Sequence, residues 1–238
     1  MNNMRAATFN VLADAYLGYG DYSHVDPELM KSGARTEGLI RAIDDLDADV
    51  VGVQEAEESL VSALNDTGNW QTFWSPKELN KPDGCLTLVR PSYEVKGFET
   101  YPYSDGSGHI MQIVRLGRTA FMNTHIKWAP ADTPDHVGVG QVTELLNKID
   151  NERFAVIFAD SNDKPNGPVR KLVEDAGFND MFGEMPTAIV NGEAVALDIL
   201  AVRGISSTMV SKNYDVLKIP NKELPSDHIP LVADLEIV

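Results

Sequence analysis

Apolar positions recur along this chain with two periods. Residues 5–12, 49–54, 86–89, 93–99, 109–116, 118–124, 154–159, 206–210 and 229–237 are short runs rich in Val, Ile, Leu, Phe and Thr, which predict strands. Residues 35–47, 57–65, 140–149 and 167–176 place apolar side chains three and four positions apart, which predicts helices. Leu39, Ile40, Ile43 and Leu46 share one face of the first helix. Val142, Leu145, Leu146 and Ile149 share one face of the third. Leu116-Gly117 predicts a hairpin between its flanking strands, and Asn191-Gly192 predicts another between 187–190 and 195–201. Many strands with few interspersed helices and no linker predict an α+β fold, with two sheets packed together and helices outside.

Composition narrows the class. The 238 residues fit one domain spanning 1–238 better than two, at roughly 150 residues per domain. The lone Cys85 excludes an internal disulfide and a Cys-based zinc cage. No apolar run approaches the roughly 20 residues a bilayer span needs, so no membrane partner is expected. The opening residues lack a signal-like apolar stretch, which predicts a cytoplasmic location.

The charge is lopsided: 36 Asp+Glu against 20 Lys+Arg, a net of −16. Such acidity argues against a broad, non-specific grip on duplex nucleic acid. It does not exclude a phosphate substrate, because carboxylates that hold divalent cations also add negative charge. Residues 41–66 carry Asp44, Asp45, Asp47, Asp49, Glu55, Glu57, Glu58 and Asp66 against the single basic Arg41. Most of that stretch is expected to be solvated surface.

The predicted strands end in chemistry-bearing residues. Asn10, Gln54-Glu55, Asn123-Thr124-His125, Asp160-Ser161-Asn162 and Asp198 lie at strand ends, and Ser226-Asp227-His228 precedes the last strand. Each has an ordinary reading. Asn10 suits a turn, Glu55 suits the first turn of a helix, and His125 suits a core. Asp160, Asn162 and Asp163 suit a loop, and Asp227 and His228 a polar turn before Pro230. Asp198 is harder to dismiss, since it interrupts an apolar run and a buried carboxylate wants a partner. Acids, amides and imidazoles repeated at the ends of a rigid sheet are how a fold presents a pre-organised site.

Taken in chain order, these residues resemble the endonuclease/exonuclease/phosphatase superfamily. The matching elements are Thr8-Phe9-Asn10, Val53-Gln54-Glu55, Asn123-Thr124-His125, Asp160-Ser161-Asn162, Asp198-Ile199-Leu200 and Ser226-Asp227-His228. The run Phe9 to Tyr16, Arg35, Asp83-Gly84-Cys85, His125 to Pro130 with Gln141, and Leu224 to Leu231 resemble the deadenylase, Angel and 2′-phosphodiesterase branch. The family's usual Gly-Asp-Phe-Asn is here Ala159-Asp160-Ser161-Asn162.

The resemblance implies a four-layer α/β/β/α sandwich of two mixed sheets and a Mg²⁺-dependent hydrolase of phosphate esters, with Mn²⁺ able to substitute. It implies a metal environment of Asn10, Glu55 and Asp227, with Glu55 as the leading ligand. It implies a catalytic set of His125, Asp160, Asn162, Asp198 and His228. Asp198 and His228 would form a dyad. Either His228 or Asp160 would take the proton of the attacking water, and Asn162 would orient it. Expected substrates are RNA 3′ ends or short oligonucleotides, with single-stranded DNA as a second candidate. A small-molecule or lipid-headgroup phosphatase and an inactive binding module are the competing readings. Trp128, in a Pro-containing loop beyond His125, is the candidate contact to a base. Trp70, Phe73 and Trp74 are read as core, and no lysine is singled out as a phosphate clamp.

Overall fold

Unbroken apolar runs let the central strands be buried on both faces, while alternating runs at the edges bury one. The computed structural model describes residues 2–130, 132–133, 135–210 and 214–237. One sheet contains β1 (Asn2–Asn10), β2 (Val50–Glu57), β3 (Gln71–Pro76), β4 (Asp83–Val89), β13 (Ser206–Val210) and β14 (Leu231–Ile237), in the order β13-β14-β1-β2-β4-β3. The other contains β5 (Val95–Pro102), β6 (Ile110–Leu116), β7 (Thr119–His125), β8 (Phe154–Asp160), β9 (Asn179–Asp180) and β12 (Asp198–Arg203), in the order β5-β6-β7-β8-β12-β9. A two-stranded hairpin, β10 (Ala188–Val190) and β11 (Glu193–Val195), stands beside them.

Each large sheet has a parallel pair at its centre, β1 with β2 and β7 with β8; its other pairings are antiparallel. A parallel pair needs a crossover, which is usually helical. Here α1 (Thr36–Asp44) lies between β1 and β2, and α3 (Val137–Lys148) between β7 and β8. Leu39 and Ile43 of α1 and Leu60 and Leu64 of α2 (Glu58–Asp66) pack on Phe9, Val51, Val53 and Leu88. Val142 and Leu145 of α3 and Val169 and Val173 of α4 (Pro168–Asp175) pack on Met111, Met122 and Ile157. Between the sheets lie Ala6, Val50, Val114, Phe121, Val156, Phe158, Leu200 and Ala233. The result is the expected α/β/β/α order of layers.

Two features set the spacing between the sheets. A Cβ at Gly52 would lie 2.5 Å from the Phe158 Cβ, so glycine permits that approach. Nearby, Gln54 Nε2 donates to Asn123 Oδ1 (2.8 Å) and Thr8 Oγ1 (3.0 Å), and Asn123 Nδ2 donates to the carbonyls of Val53 and Leu86. These buried polar groups satisfy one another across the interface, which removes most of the desolvation penalty of burying them.

The turn at Asn191-Gly192 has positive φ at both residues (52° and 79°), as a two-residue hairpin requires. It joins β10 to β11, however, and the predicted strand 195–201 is two strands. β11 ends at Val195 and β12 begins at Asp198, in a different sheet. The last strand starts at Leu231 rather than 229, because Asp227 and Ile229 bond to the β10 segment instead, through Ile189 N to Asp227 O (2.9 Å) and Ile229 N to Thr187 O (2.7 Å). Trp70 is buried and Phe73 and Trp74 are half-buried against the core. The acids of 41–66 are not all free surface. Asp49 accepts from Arg5 N, Asp44 from Trp70 Nε1, and Glu57 from the backbone of Asp14 and Ala15. No helix among the described residues is long and apolar enough to cross a membrane.

Candidate active site

The two parallel pairs point their carboxyl ends the same way, and four of the expected residues sit there. Asn10 ends β1, Glu55 lies near the end of β2, His125 ends β7 and Asp160 ends β8. Carboxyl ends of parallel strands are where such sheets gather ligands, because their connections leave a crevice there. Register completes the row. His125 pairs with Asp160 across β7 and β8, and Asp160 pairs with Asp198 across β8 and β12.

Local backbone aims Glu55. The register of β2 against β4 shifts between Val53 and Ala56, and Glu55 has φ +59°. A left-handed glutamate is uncommon and is held by its surroundings. Its Oε2 accepts from Ala13 N (2.9 Å) and its Oε1 from Asn10 Nδ2 (3.1 Å). Asn10 Nδ2 also donates to Asp160 Oδ2 (2.9 Å), so one amide bridges the two carboxylates. The Asn10 oxygen accepts from Leu12 N (3.0 Å). Arg35, buried, donates to the carbonyls of Val11, Leu12 and Pro225 and to Asp14 Oδ1, which fastens the loop after β1 to the segment before Asp227. Ser226 Oγ donates to Asn10 O (2.7 Å) and accepts from His228 N (3.2 Å), placing that segment over β1.

His228 Nδ1 lies 2.8 Å from Asp198 Oδ2, so these two side chains are brought into hydrogen-bond contact. The other ring nitrogen, Nε2, is 3.8 Å from Asp160 Oδ2 and 3.9 Å from Asp227 Oδ1. Across the cleft, His125 Nε2 is 2.9 Å from Asn162 Nδ2 and 3.7 Å from Asp160 Oδ2, and its Nδ1 is 3.7 Å from Glu55 Oε1. Asn162, also left-handed at φ +48°, donates its backbone N–H to Asp160 Oδ1 (2.9 Å). The structure thus brings together Asn10, Glu55, His125, Asp160, Asn162, Asp198, Asp227 and His228. Trp128 is 64% exposed on the loop beyond His125 and does not line this cleft.

The electrostatics divide the two histidines. Burial, then the nearby Lys77 charge, pulls His125 well below the ordinary imidazole range. Burial acts on His228 in the same direction, but Asp198, through charge and hydrogen bond, with Asp160 and Asp227 behind it, carries His228 well above that range. His125 is therefore a neutral group and His228 an imidazolium. Burial lifts the Glu55 carboxyl to about 7 against the opposing pull of Lys77, and Asp227 adds to the rise. Burial, then Asp198, raises Asp160.

These residues fit a hard divalent cation. One donor atom each from Glu55, His125 and Asp160 lie within 4.8 Å of one another, whereas the neighbouring group of Asp160, Asp198 and His228 is closed to a cation by the protonated His228. The Asp227 Oδ1 is buried and has no hydrogen-bond partner. An orphaned carboxylate oxygen beside a desolvated carboxyl is a donor set short of positive charge. Among the described residues, those lining the cleft, of about 410 Å³, include Asp21, Glu55, Asp160 and Asp227 but neither Lys nor Arg.

Sequence reasoning missed several neighbours. Lys77, buried, donates to Asp83 Oδ2 (2.5 Å) and sits 3.3 Å from His125 Nδ1. Tyr16 donates to Asp83 Oδ1 and Tyr22 to Asp227 Oδ2, both at 2.7 Å. Asp83-Gly84-Cys85 was a signal for the first pair. Nothing in the sequence pointed to Tyr22.

No protein-family model matches the sequence, and no curated protein matches it. Solved structures do. ANGEL2, a 2′,3′-cyclic phosphatase, superposes with a TM-score of 0.83 at 15% identity over 98% of this chain and 95% of its own. An endonuclease/exonuclease/phosphatase protein from Bacteroides vulgatus gives 0.78 at 19% identity over the whole of both chains. The human Nocturnin catalytic domain gives 0.75 at 16% identity over 99% and 95%.

The chain has the endonuclease/exonuclease/phosphatase fold. At these identities the likeness is one of architecture, and it agrees with the layer order built above. Within the endonuclease/exonuclease/phosphatase fold, the cleft lies at the carboxyl ends of the two central parallel pairs.

Proposed function

We propose that the chain is a single catalytic domain that hydrolyses phosphodiesters with Mg²⁺, acting on RNA 3′ ends or short oligonucleotides. Mn²⁺ is expected to substitute. The observation that carries this reading is the Asp198–His228 pair at 2.8 Å, set beside Asp160 and across a cleft from Glu55. Structures of the same fold that are named for phosphate chemistry, such as the 2′,3′-cyclic phosphatase ANGEL2, support it.

Glu55 and Asp227 would hold the cation, and Asn10 would serve it by fixing Glu55. When bound, the cation supplies Lewis-acid polarisation of a phosphoryl oxygen and charge relief for the leaving oxygen. The chain's own groups do the rest. His228, kept cationic by Asp198, stabilises negative charge on the phosphoryl oxygens. His125, neutral, would contact a non-bridging oxygen. Asp160, its carboxyl made more basic by burial and by Asp198, takes the proton of the attacking water, and Asn162 orients that water. Asp198 holds the imidazole ring and does not itself change protonation. Trp128 is proposed to touch a base beyond the cleft.

The test is a substrate panel with Mg²⁺: oligoadenylate, 2′-5′ oligoadenylate, RNA ending in a 2′,3′-cyclic phosphate, single-stranded DNA, inositol phosphate and sphingomyelin. Turnover of at least one RNA substrate above all others supports the reading. Turnover confined to inositol phosphate or sphingomyelin replaces it with the phosphatase reading.

A further inference from the structure

In a chain of net charge −16, Lys77, Lys81 and His109 cluster beside His125, and Lys127 lies close enough for its charge to act on Lys81 and His109. Lys77 is consumed by Asp83. Lys81 and Lys127 make no salt bridge with any described residue. Lys81 Nζ lies 3.3 Å from His109 Nδ1, and the His109 ring meets the His125 ring edge-on with centroids 5.9 Å apart. Lys81 is therefore one imidazole removed from the residue that faces the scissile phosphate.

The chain brings Lys127 to the same place by a buried amide. Gln141 Oε1 accepts from Lys127 N (2.9 Å), and Gln141 Nε2 donates to Ser107 Oγ (3.1 Å) and Asp105 Oδ2 (2.8 Å). Ser107 Oγ is 3.2 Å from His109 Nδ1. Gly108 O accepts from Glu78 N (2.8 Å), which ties the segment before Lys81 to the same loop. Asp105, whose charge acts on both Lys81 and His109, has both oxygens engaged, by Gln141 and by Ser107 N. Burial and the charges of Lys77 and Lys127 push the Lys81 ammonium down, against Asp83 and Asp105. Burial, then Lys77 and Lys81, holds His109 down at about 3, so its ring stays neutral. Ammonium groups crowded together with no described carboxylate at salt-bridge distance favour an anion between them.

We propose that Lys81 and Lys127, braced by His109 and Gln141, form a subsite for the phosphate next to the one that is cut. The ligand is an internal phosphodiester of a single-stranded oligonucleotide. The inference rests on the diesterase reading above and extends it: a substrate with a second phosphate on this side is held at two points. Among the described residues the cleft has no lysine or arginine along its lining, so this pair supplies a cationic grip beside it.

The experiment compares wild type with the Lys81→Ala/Lys127→Ala double variant and with Lys127→Arg. One set of substrates is a short oligoadenylate with either a normal or a methylphosphonate linkage beside the cleaved one. The other is bis(4-nitrophenyl) phosphate, which has no neighbouring phosphate. The double variant is expected to raise KM for the normal oligoadenylate about five- to tenfold, leave kcat and bis(4-nitrophenyl) phosphate hydrolysis unchanged, and abolish the difference between the two linkages. Lys127→Arg is expected to keep the wild-type KM. Binding of fluorescent oligoadenylate in chelator reads the subsite without turnover, and the slope of log Kd against log salt is expected to fall by about 0.7 per lysine removed. An unchanged slope, or an equal methylphosphonate effect in both proteins, overturns the subsite even if every diester is hydrolysed. A reduced slope with no hydrolysis of any diester upholds the subsite and removes the catalytic reading.

Discussion

Asp198 Oδ2 sits 2.8 Å from His228 Nδ1, and both groups are buried. This contact joins β12 of one sheet to the segment that enters β14 of the other, so the dyad forms only when the two sheets are packed. Replacing Asp198 by Asn keeps the shape and removes the charge that holds the imidazolium. Asp198→Asn is expected to lower kcat on a diester by about 10²–10⁴ with KM changed only a few-fold, as for an orienting carboxylate in a triad. Steady-state kinetics with bis(4-nitrophenyl) phosphate measure it. A kcat within threefold of wild type contradicts the role given to the pair.

The Glu55 carboxyl gives a pH prediction. Its value of about 7 is above the unfolded value of 4.5. The stability this raised group contributes is complete below pH 4.5 and is lost as pH rises through about 7, where the carboxylate ionises against its own burial. A cation at Glu55 restores that loss by replacing the proton. The rise in Tm on adding Mg²⁺ is therefore expected to be larger at pH 8 than at pH 6, and Glu55→Gln is expected to flatten the difference. Scanning calorimetry at the two pH values checks it; equal increments at both contradict it.

Gly52 and Phe158 set the approach of the sheets. Gly52→Ala places a methyl 2.5 Å from the Phe158 Cβ, which must move. Overpacking of this kind costs about 1–3 kcal/mol, and urea unfolding is expected to show that loss. Full wild-type stability in Gly52→Ala would mean that the sheets are farther apart than described.

Cys85 gives a chemical check on burial. Desolvation pushes its thiol up to about 12, against the pull of Lys77. The native protein is expected to leave Cys85 unmodified by iodoacetamide at pH 8 over hours, while urea-unfolded protein reacts within minutes. Mass spectrometry distinguishes the two states. Rapid modification of the native chain contradicts the packing of β4.

Most of the site was legible because strands end where their residues change type. Asn10, Glu55, His125, Asp160 and Asp198 each follow or open an apolar run, and a run fixes where its end points. Contacts made by loops left no such trace. Tyr22 reaches Asp227 across 205 residues of sequence, and Lys77 reaches His125 only because β4 pairs with β3. The split of 195–201 was also hidden. A continuous apolar run shows burial, and Val195 and Ile199 are both apolar whichever sheet they join. The polar pair Gln54 and Asn123 interrupts the apolar runs for a reason only the second sheet supplies.

The central claim is that a cation at Glu55 and the Asp160–His228 side of the cleft act together on a phosphodiester. The direct test measures hydrolysis of bis(4-nitrophenyl) phosphate by wild type, Glu55→Gln and Asp160→Asn, each with Mg²⁺ and with chelator, after circular dichroism has shown all three folded. The account predicts turnover by wild type that the chelator abolishes, and a loss of at least about 10²-fold in each variant with Mg²⁺ present. Chelator-resistant turnover, or wild-type rates in Glu55→Gln, would contradict it.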